Sequence, residues 1–160
     1  MVNRLFLLLG AALFITGCGP GVLYDNSVSF ENGVWDKDVP AVFEMEHPDT
    51  SRVVDVGMTF MHDETYPFSN LWLFLEVHGP KGTVQIDTLE FLLAETDGQW
   101  LGKKKGDQLE VSALYQYGVK FSEAGSWSFK ITQGMRHPQL EGIHQVAFWV
   151  QESAVNESEE

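Results

Sequence analysis

Cysteine is almost missing from this chain: Cys18 stands alone. No intrachain disulfide is available to it, and no Cys-x-x-Cys metal or redox motif can be assembled. Basic residues are scarce too, with 10 Lys and Arg against 23 Asp and Glu and a formal net charge of −13. Phosphate recognition demands clustered Lys and Arg, so nucleic acid is excluded as a partner class. Anionic lipid would repel such a surface. After residue 18 no apolar run approaches the roughly 20 residues needed to span a bilayer, and no segment of ten or more carries a helical stripe. The motifs of catalysis are absent as well. His47, His62, His78, His137 and His144 form no i, i+4 pair, so spacing defines no metal site. No serine sits in a Gly-x-Ser-x-Gly elbow. Gly79-Pro80-Lys81-Gly82 is too short for a phosphate loop and reads as a turn. A glycosidase-type carboxylate pair needs geometry that spacing cannot supply. The expectation is a non-enzymatic protein with no cofactor and no metal.

What is present begins with Arg4, an apolar segment from Leu5 to Ile15, and Ile15-Thr16-Gly17-Cys18. The segment has the length of a signal-peptide core and is too short for an anchor. A small residue followed directly by cysteine resembles the lipobox of bacterial lipoprotein precursors. That resemblance implies that residues 1–17 are a cleaved signal peptide and that Cys18 is the lipidation site. The Cys18 thiol would be alkylated by a diacylglyceryl group and its new amino group acylated. Several acyl chains give stable anchoring where one is marginal. An ordinary cleaved signal with an incidental cysteine is the alternative.

Residues 18–33 open Gly-Pro-Gly after the cysteine and contain Asn26, Ser27, Asn32 and Gly33. They read as a lipidated tether, with Tyr24 and Phe30 docking on the body. From residue 34 the period is two. Val54, Val56, Met58 and Phe60 alternate with polar or small neighbours, as do Trp127, Phe129 and Ile131, and Leu109, Val111, Ala113, Tyr115 and Tyr117. Each describes a strand with one face in a core. Leu71-Trp72-Leu73-Phe74-Leu75 is apolar on both faces, which predicts a central strand or one covered by a loop. Further strands are expected near 41–46, 84–95 and 143–150, with turns between them. The fold class is therefore all-β, an antiparallel β-sandwich of jelly-roll type, as a single domain over 34–151. Residues 152–160 read as an acidic disordered tail.

Two loops stand out. Trp100-Leu101-Gly102-Lys103-Lys104-Lys105-Gly106 places three lysines in an acidic chain. It is either a solvated hairpin with Trp100 tucked inward, or a contact loop for an acidic partner. Tyr66-Pro67-Phe68-Ser69-Asn70 offers aromatics as partner anchors, or as a plug over one end of the sandwich.

Several segments in order support a wider resemblance. They are Asn32-Gly33-Val34-Trp35 with Asp36 and Asp38, Tyr66 to Leu71, Asp87-Thr88-Leu89-Glu90, Leu93-Ala94, and Asp97-Gly98-Gln99-Trp100-Leu101-Gly102. Gly125 with Trp127, Gln133-Gly134-Met135-Arg136 and Leu140-Glu141-Gly142-Ile143 follow. Together they resemble GldH, a family of gliding-motility lipoproteins, although Gly134 stands where the family pattern has alanine. The resemblance implies an outer-membrane lipoprotein associated with gliding and type IX secretion, with no catalytic residues. Candidate partner-binding residues are Tyr66, Phe68, Asn70, Trp100, Lys103, Lys104, Lys105 and Arg136. The implied partner is an outer-membrane or periplasmic protein of the gliding or secretion assembly, beside the membrane held through the lipid. The lack of an acidic cluster just after Cys18 favours the periplasm-facing leaflet. The alternatives are a glycan- or peptidoglycan-binding envelope lipoprotein and an envelope assembly factor; an envelope enzyme would need a cleft of converging titratable groups.

Overall fold

The computed structural model describes residues 21–154. The expected signal peptide, the lipidation site Cys18 and the final residues of the acidic tail lie outside the described residues. The strands are β1 (Val22–Ser29), β2 (Val34–Asp36), β3 (Ala41–His47), β4 (Val54–His62), β5 (Asn70–Gly79) and β6 (Gly82–Leu92). They continue with β7 (Lys103–Lys105), β8 (Gln108–Val119), β9 (Gly125–Gln133), β10 (Gln139–Glu141) and β11 (Ile143–Glu152). One sheet runs β1-β11-β4-β8-β7, a second β3-β9-β5-β6, and β10 pairs with β2 apart from both. All of these pairings are antiparallel. With β7 set aside, the two main sheets have the strand order of a jelly roll, in which a long hairpin is folded over on itself.

Period-two patterning drives this packing. β3 alternates buried and exposed residues along its whole length. Val54, Val56, Met58 and Phe60 of β4 face Trp127, Phe129 and Ile131 of β9 across a shared core. At its centre Phe129 and Phe148 stack at 4.3 Å, and Phe43 lies 5.7 Å from Phe148. Each such ring contributes roughly 1.5–3 kcal/mol by leaving water.

Four expectations change. The tether is shorter than 18–33, because residues 22–29 pair with β11 from Val22↔Gln151 to Ser29↔Gln145. β1 is a mostly exposed edge strand held by its main-chain ladder, and side-chain periodicity does not register such a strand. Tyr24 and Phe30 do dock, Tyr24 edge-on to Phe148 and Phe30 stacked on Trp35 at 4.7 Å. At the other end, Glu152, expected in the tail, belongs to β11 and pairs with Arg52 at 2.7 Å.

The even alternation of β8 also fails at Tyr117, which is 59% exposed. The register slips between Val56↔Gln116 and Gly57↔Leu114, leaving Tyr115 as an extra residue. Such a bulge re-aims the residues after it. Buried Asp55 repairs the ladder by accepting the Gly118 N–H at 2.9 Å.

Finally, β5 is an interior strand between β9 and β6, yet only one of its faces is buried. Leu71, Leu73 and Leu75 are fully enclosed, whereas Trp72 and Phe74 are 39% and 46% exposed. Hydrogen bonding on both edges does not cover both faces.

Candidate partner-binding face

The loop between β4 and β5 is locked from below. Asp63 donates its N–H to the Gly142 carbonyl at 3.0 Å, and its carboxylate accepts from the Thr65 N–H at 2.8 Å and meets His144 Nε2 at 2.6 Å. Burial pushes the Asp63 carboxyl up, but the Thr65 and His144 hydrogen bonds outweigh it and hold the group below its usual range. Gly142 has φ +82°, and an added Cβ would lie 2.4 Å from the Tyr66 nitrogen. Only glycine lets the two backbones approach this closely.

Tyr66 is thereby driven inward. It is 2% exposed, its hydroxyl donates to the Asn70 carbonyl at 2.7 Å, and burial raises its phenol pKa. Of its two readings, the plug is the one its position supports. Trp100 takes a related position, half-buried with its ring 4.8 Å from that of His62. His62 itself is fully buried, and loss of hydration holds its imidazole pKa below the ordinary value. A continuous run of rings crosses this end of the sandwich: Trp100, His62, Tyr66, Phe68 and His137.

Lys103–Lys105 form β7, an exposed edge strand of the other sheet, where Lys105 lies 3.8 Å from Glu110. Edge lysines of this kind discourage unwanted strand pairing. The structure does not join them to the loop of Tyr66.

It does join Phe68, Asn70 and Arg136. Together with Trp72, Gly134, Met135 and His137 they line a groove of about 650 Å³ on the outer side of the β3-β9-β5-β6 sheet. The wall made by residues 134–138 is built by Gln133, which was not among the sequence candidates. It is 2% exposed; its amide donates to the His137 carbonyl at 2.8 Å and accepts the Met135 N–H at 2.8 Å. The Gly134 N–H donates to the Trp72 carbonyl at 2.7 Å, and Met135 sulfur lies 3.3 Å from the Trp72 nitrogen. A glutamine directly after an apolar strand row, followed by Gly-Met-Arg, was the available signal for this brace.

A second groove of about 580 Å³ lies farther along the same face, lined by Lys37, Pro40, Phe74, Glu76, Ile86 and Lys130 among others. Lys130 donates to Glu76 at 3.0 Å, a contact that lowers the Glu76 pKa. Arg136 and Lys37 are exposed and form no ion pair with another described residue.

Among the described residues no group of three or more His, Cys, Asp or Glu is arranged to hold a metal ion. The Asp63–His144 pair anchors a loop. The surface offers apolar contact and cationic hydrogen-bond donors.

Residues 22–150 match the model of a family described as GldH lipoprotein. The chain belongs to that family. The matched span runs from the first residue of β1 almost to the end of β11, so it takes in both sheets and the grooved face. Relatives agree with it. The gliding motility lipoprotein GldH homolog of Christiangramia forsetii is 32% identical, covering 92% of this chain and 94% of its own. Gliding motility lipoprotein GldH of Flavobacterium johnsoniae is 29% identical, covering 91% and 94%. A chain from the structure of infectious bursal disease virus Gx strain aligns at 14% identity and a TM-score of 0.33. It covers 86% of this chain and 31% of that one, and a likeness this low carries no argument.

Proposed function

We propose that this GldH-family lipoprotein is a non-enzymatic accessory component of a gliding-motility and type IX secretion assembly. It is held at the outer membrane by acyl chains on Cys18 and faces the periplasm. The observation that carries the reading is the family match over the complete fold, from Val22 to Val150. A tethered body needs only a weak binding face, because confinement to the membrane raises its effective concentration toward a membrane partner. Gentle affinity purification of the lipidated chain should bring down a defined outer-membrane protein. Recovery of the chain alone would overturn the proposal. Cys18→Ala should leave the sandwich folded and abolish gliding, whereas a fully active soluble variant would refute tethering. Protease added to intact cells should spare the domain if it faces the periplasm.

A second reading, glycan or peptidoglycan binding, is favoured by one observation: Trp72 is 39% exposed in a groove that also contains Asn70 and Arg136. Sedimentation with purified peptidoglycan tests it directly, and recovery in the supernatant would dismiss it.

A further inference from the structure

We propose that the outer face of the β3-β9-β5-β6 sheet, along the Trp72–Phe74 row, docks an acidic, apolar segment of a partner protein. This rests on the accessory-subunit reading and adds to it the surface used and the chemistry that the surface meets.

Trp72 and Phe74 point outward from an interior strand, opposite Glu90 and Thr88 of β6, with exposed Leu92 and Ile86 facing Asn70 and Glu76 at the two ends of the row. Scattered surface apolars need no explanation, but two large aromatics at successive outward positions, each lining a groove, mark a contact site. The row separates into two grooves, one against Phe68, Met135 and Arg136, the other against Pro40 and Ile86. Successive outward side chains of a strand lie about 7 Å apart, so two apolar side chains of one partner can be seated together. Trp, Phe, Met and Arg are the residue types enriched at the centres of protein interfaces. The groove wall is also set in advance, because Gln133 holds residues 134–138 from inside the core. Less ordering is then required on binding.

Charge decides what kind of segment fits. In a chain of net charge −13, Arg136 and Lys37 form no ion pair with a described residue; no carboxylate lines the groove of Arg136, while Asp38 and Glu76 line that of Lys37. The Lys37 N–H donates to the Pro138 carbonyl at 2.8 Å, so both cations sit on connected backbone. A partner carboxylate meeting the Arg136 guanidinium forms two parallel charge-assisted hydrogen bonds. The remaining acidic surface repels the same segment and so fixes where it lands.

Other occupants fit less well. An extended anionic lipid surface would meet Glu44, Glu46 and Glu90 together, whereas a short segment seated at Arg136 and Trp72 meets Glu90 alone. A glycan needs several free polar groups, yet the Asn70 amide already donates to Glu90 and Gln133 is buried in its brace. A second copy would bring the same two cations.

The test places the photo-crosslinker p-benzoylphenylalanine at Phe74 in the full lipidated chain in its own bacterium, with Leu114 on the outer face of β8 as reference. The expected result is one discrete protein adduct from position 74, whose cross-linked peptide contains Asp or Glu beside apolar residues. Arg136→Glu should cut its yield about tenfold, and Trp72→Ala about 30-fold, as for truncation of an interface hot spot. Both variants should unfold at the wild-type temperature. An adduct to lipid, glycan or a second copy overturns the proposal, as does equal yield from Leu114 or an unchanged yield with Arg136→Glu. If a partner co-purifies with the wild-type chain while position 74 gives no adduct, this face is wrong and the accessory-subunit reading stands. If nothing co-purifies and no position gives an adduct, both fall.

Discussion

The outer faces of the two sheets each carry a tryptophan, and they treat it differently. On the five-stranded sheet Trp149 lies across Gly57, where an added Cβ would come within 2.1 Å of the Trp149 ring. Thr59 and Ser112 hydrogen-bond beside it at 2.8 Å, so this face largely satisfies itself. Its exposed apolar residues lie apart, Leu114 and Tyr117 on β8 next to a bulge and Val22 and Leu23 at the start of β1. On the four-stranded sheet a Cβ added at Gly134 would lie 3.2 Å from the Phe74 ring, and Trp72 and Phe74 stand as a row with grooves on either side. The Trp149 ring occupies the Cβ position left open at Gly57; no ring occupies the one at Gly134, and the aromatics of that face stay outward and available.

The contrast should be sharpest within β5. Leu73→Ala removes a fully enclosed side chain and should cost about 2–5 kcal/mol. Phe74→Ala, one residue along and 46% exposed, should cost under about 1 kcal/mol. Urea unfolding of both variants measures the difference, and equal costs would mean that the outer face is covered after all.

On the opposite sheet, Gly57→Ala should force Trp149 from its seat and destabilise by about 1–3 kcal/mol. Trp149 fluorescence should shift to the red in the same variant. An unchanged spectrum would show that the flat packing is not what holds this face closed.

The ringed end of the sandwich adds a pH dependence of its own. His62 is held neutral in the fold by loss of hydration. Below about pH 6.5, its ordinary value, the unfolded chain therefore takes up a proton that the folded chain refuses, and stability declines as pH falls. Asp63, held below the usual carboxylate range by Thr65 and His144, contributes stability above that range and loses it as pH falls through its folded value. Melting temperature should drop by a few degrees, on the order of 2–4 °C, between pH 7 and pH 5.5. The His62→Gln chain should lose most of that slope.

The smallest effect belongs to Gly134. An added Cβ would lie 3.2 Å from the Phe74 ring and 3.3 Å from the Trp72 carbonyl carbon. Gly134→Ala should shift stability by no more than about 0.5 kcal/mol while moving the Phe74 ring resonances in NMR spectra. Silence in those resonances would separate Gly134 from the groove.

Much of the fold was legible because it rests on local alternation. The inward rows of β3, β4 and β9 repeat every second residue, and that period alone specifies strands with one buried face. The ordered family segments, and the lipobox-like Ile15-Thr16-Gly17-Cys18, are likewise properties of the linear chain. β1 was not legible, since its support is a main-chain ladder against β11, more than 100 residues away. Tyr66 read equally as a partner anchor or a plug, and only its hydrogen bond to the Asn70 carbonyl and the close approach of Gly142 turn it inward.

The grooved face is the clearest case. Phe68, Asn70 and Arg136 were each visible as residues, but 66 positions separate Asn70 from Arg136. Pairing of β5 with β9, and the Gln133 brace beyond it, brings them to one groove. The apolar doublet of Trp72 and Phe74 was plain in the sequence, and whether it would be buried or displayed was not. A strand's period says that its two faces differ; what covers each face depends on layers contributed by distant parts of the chain.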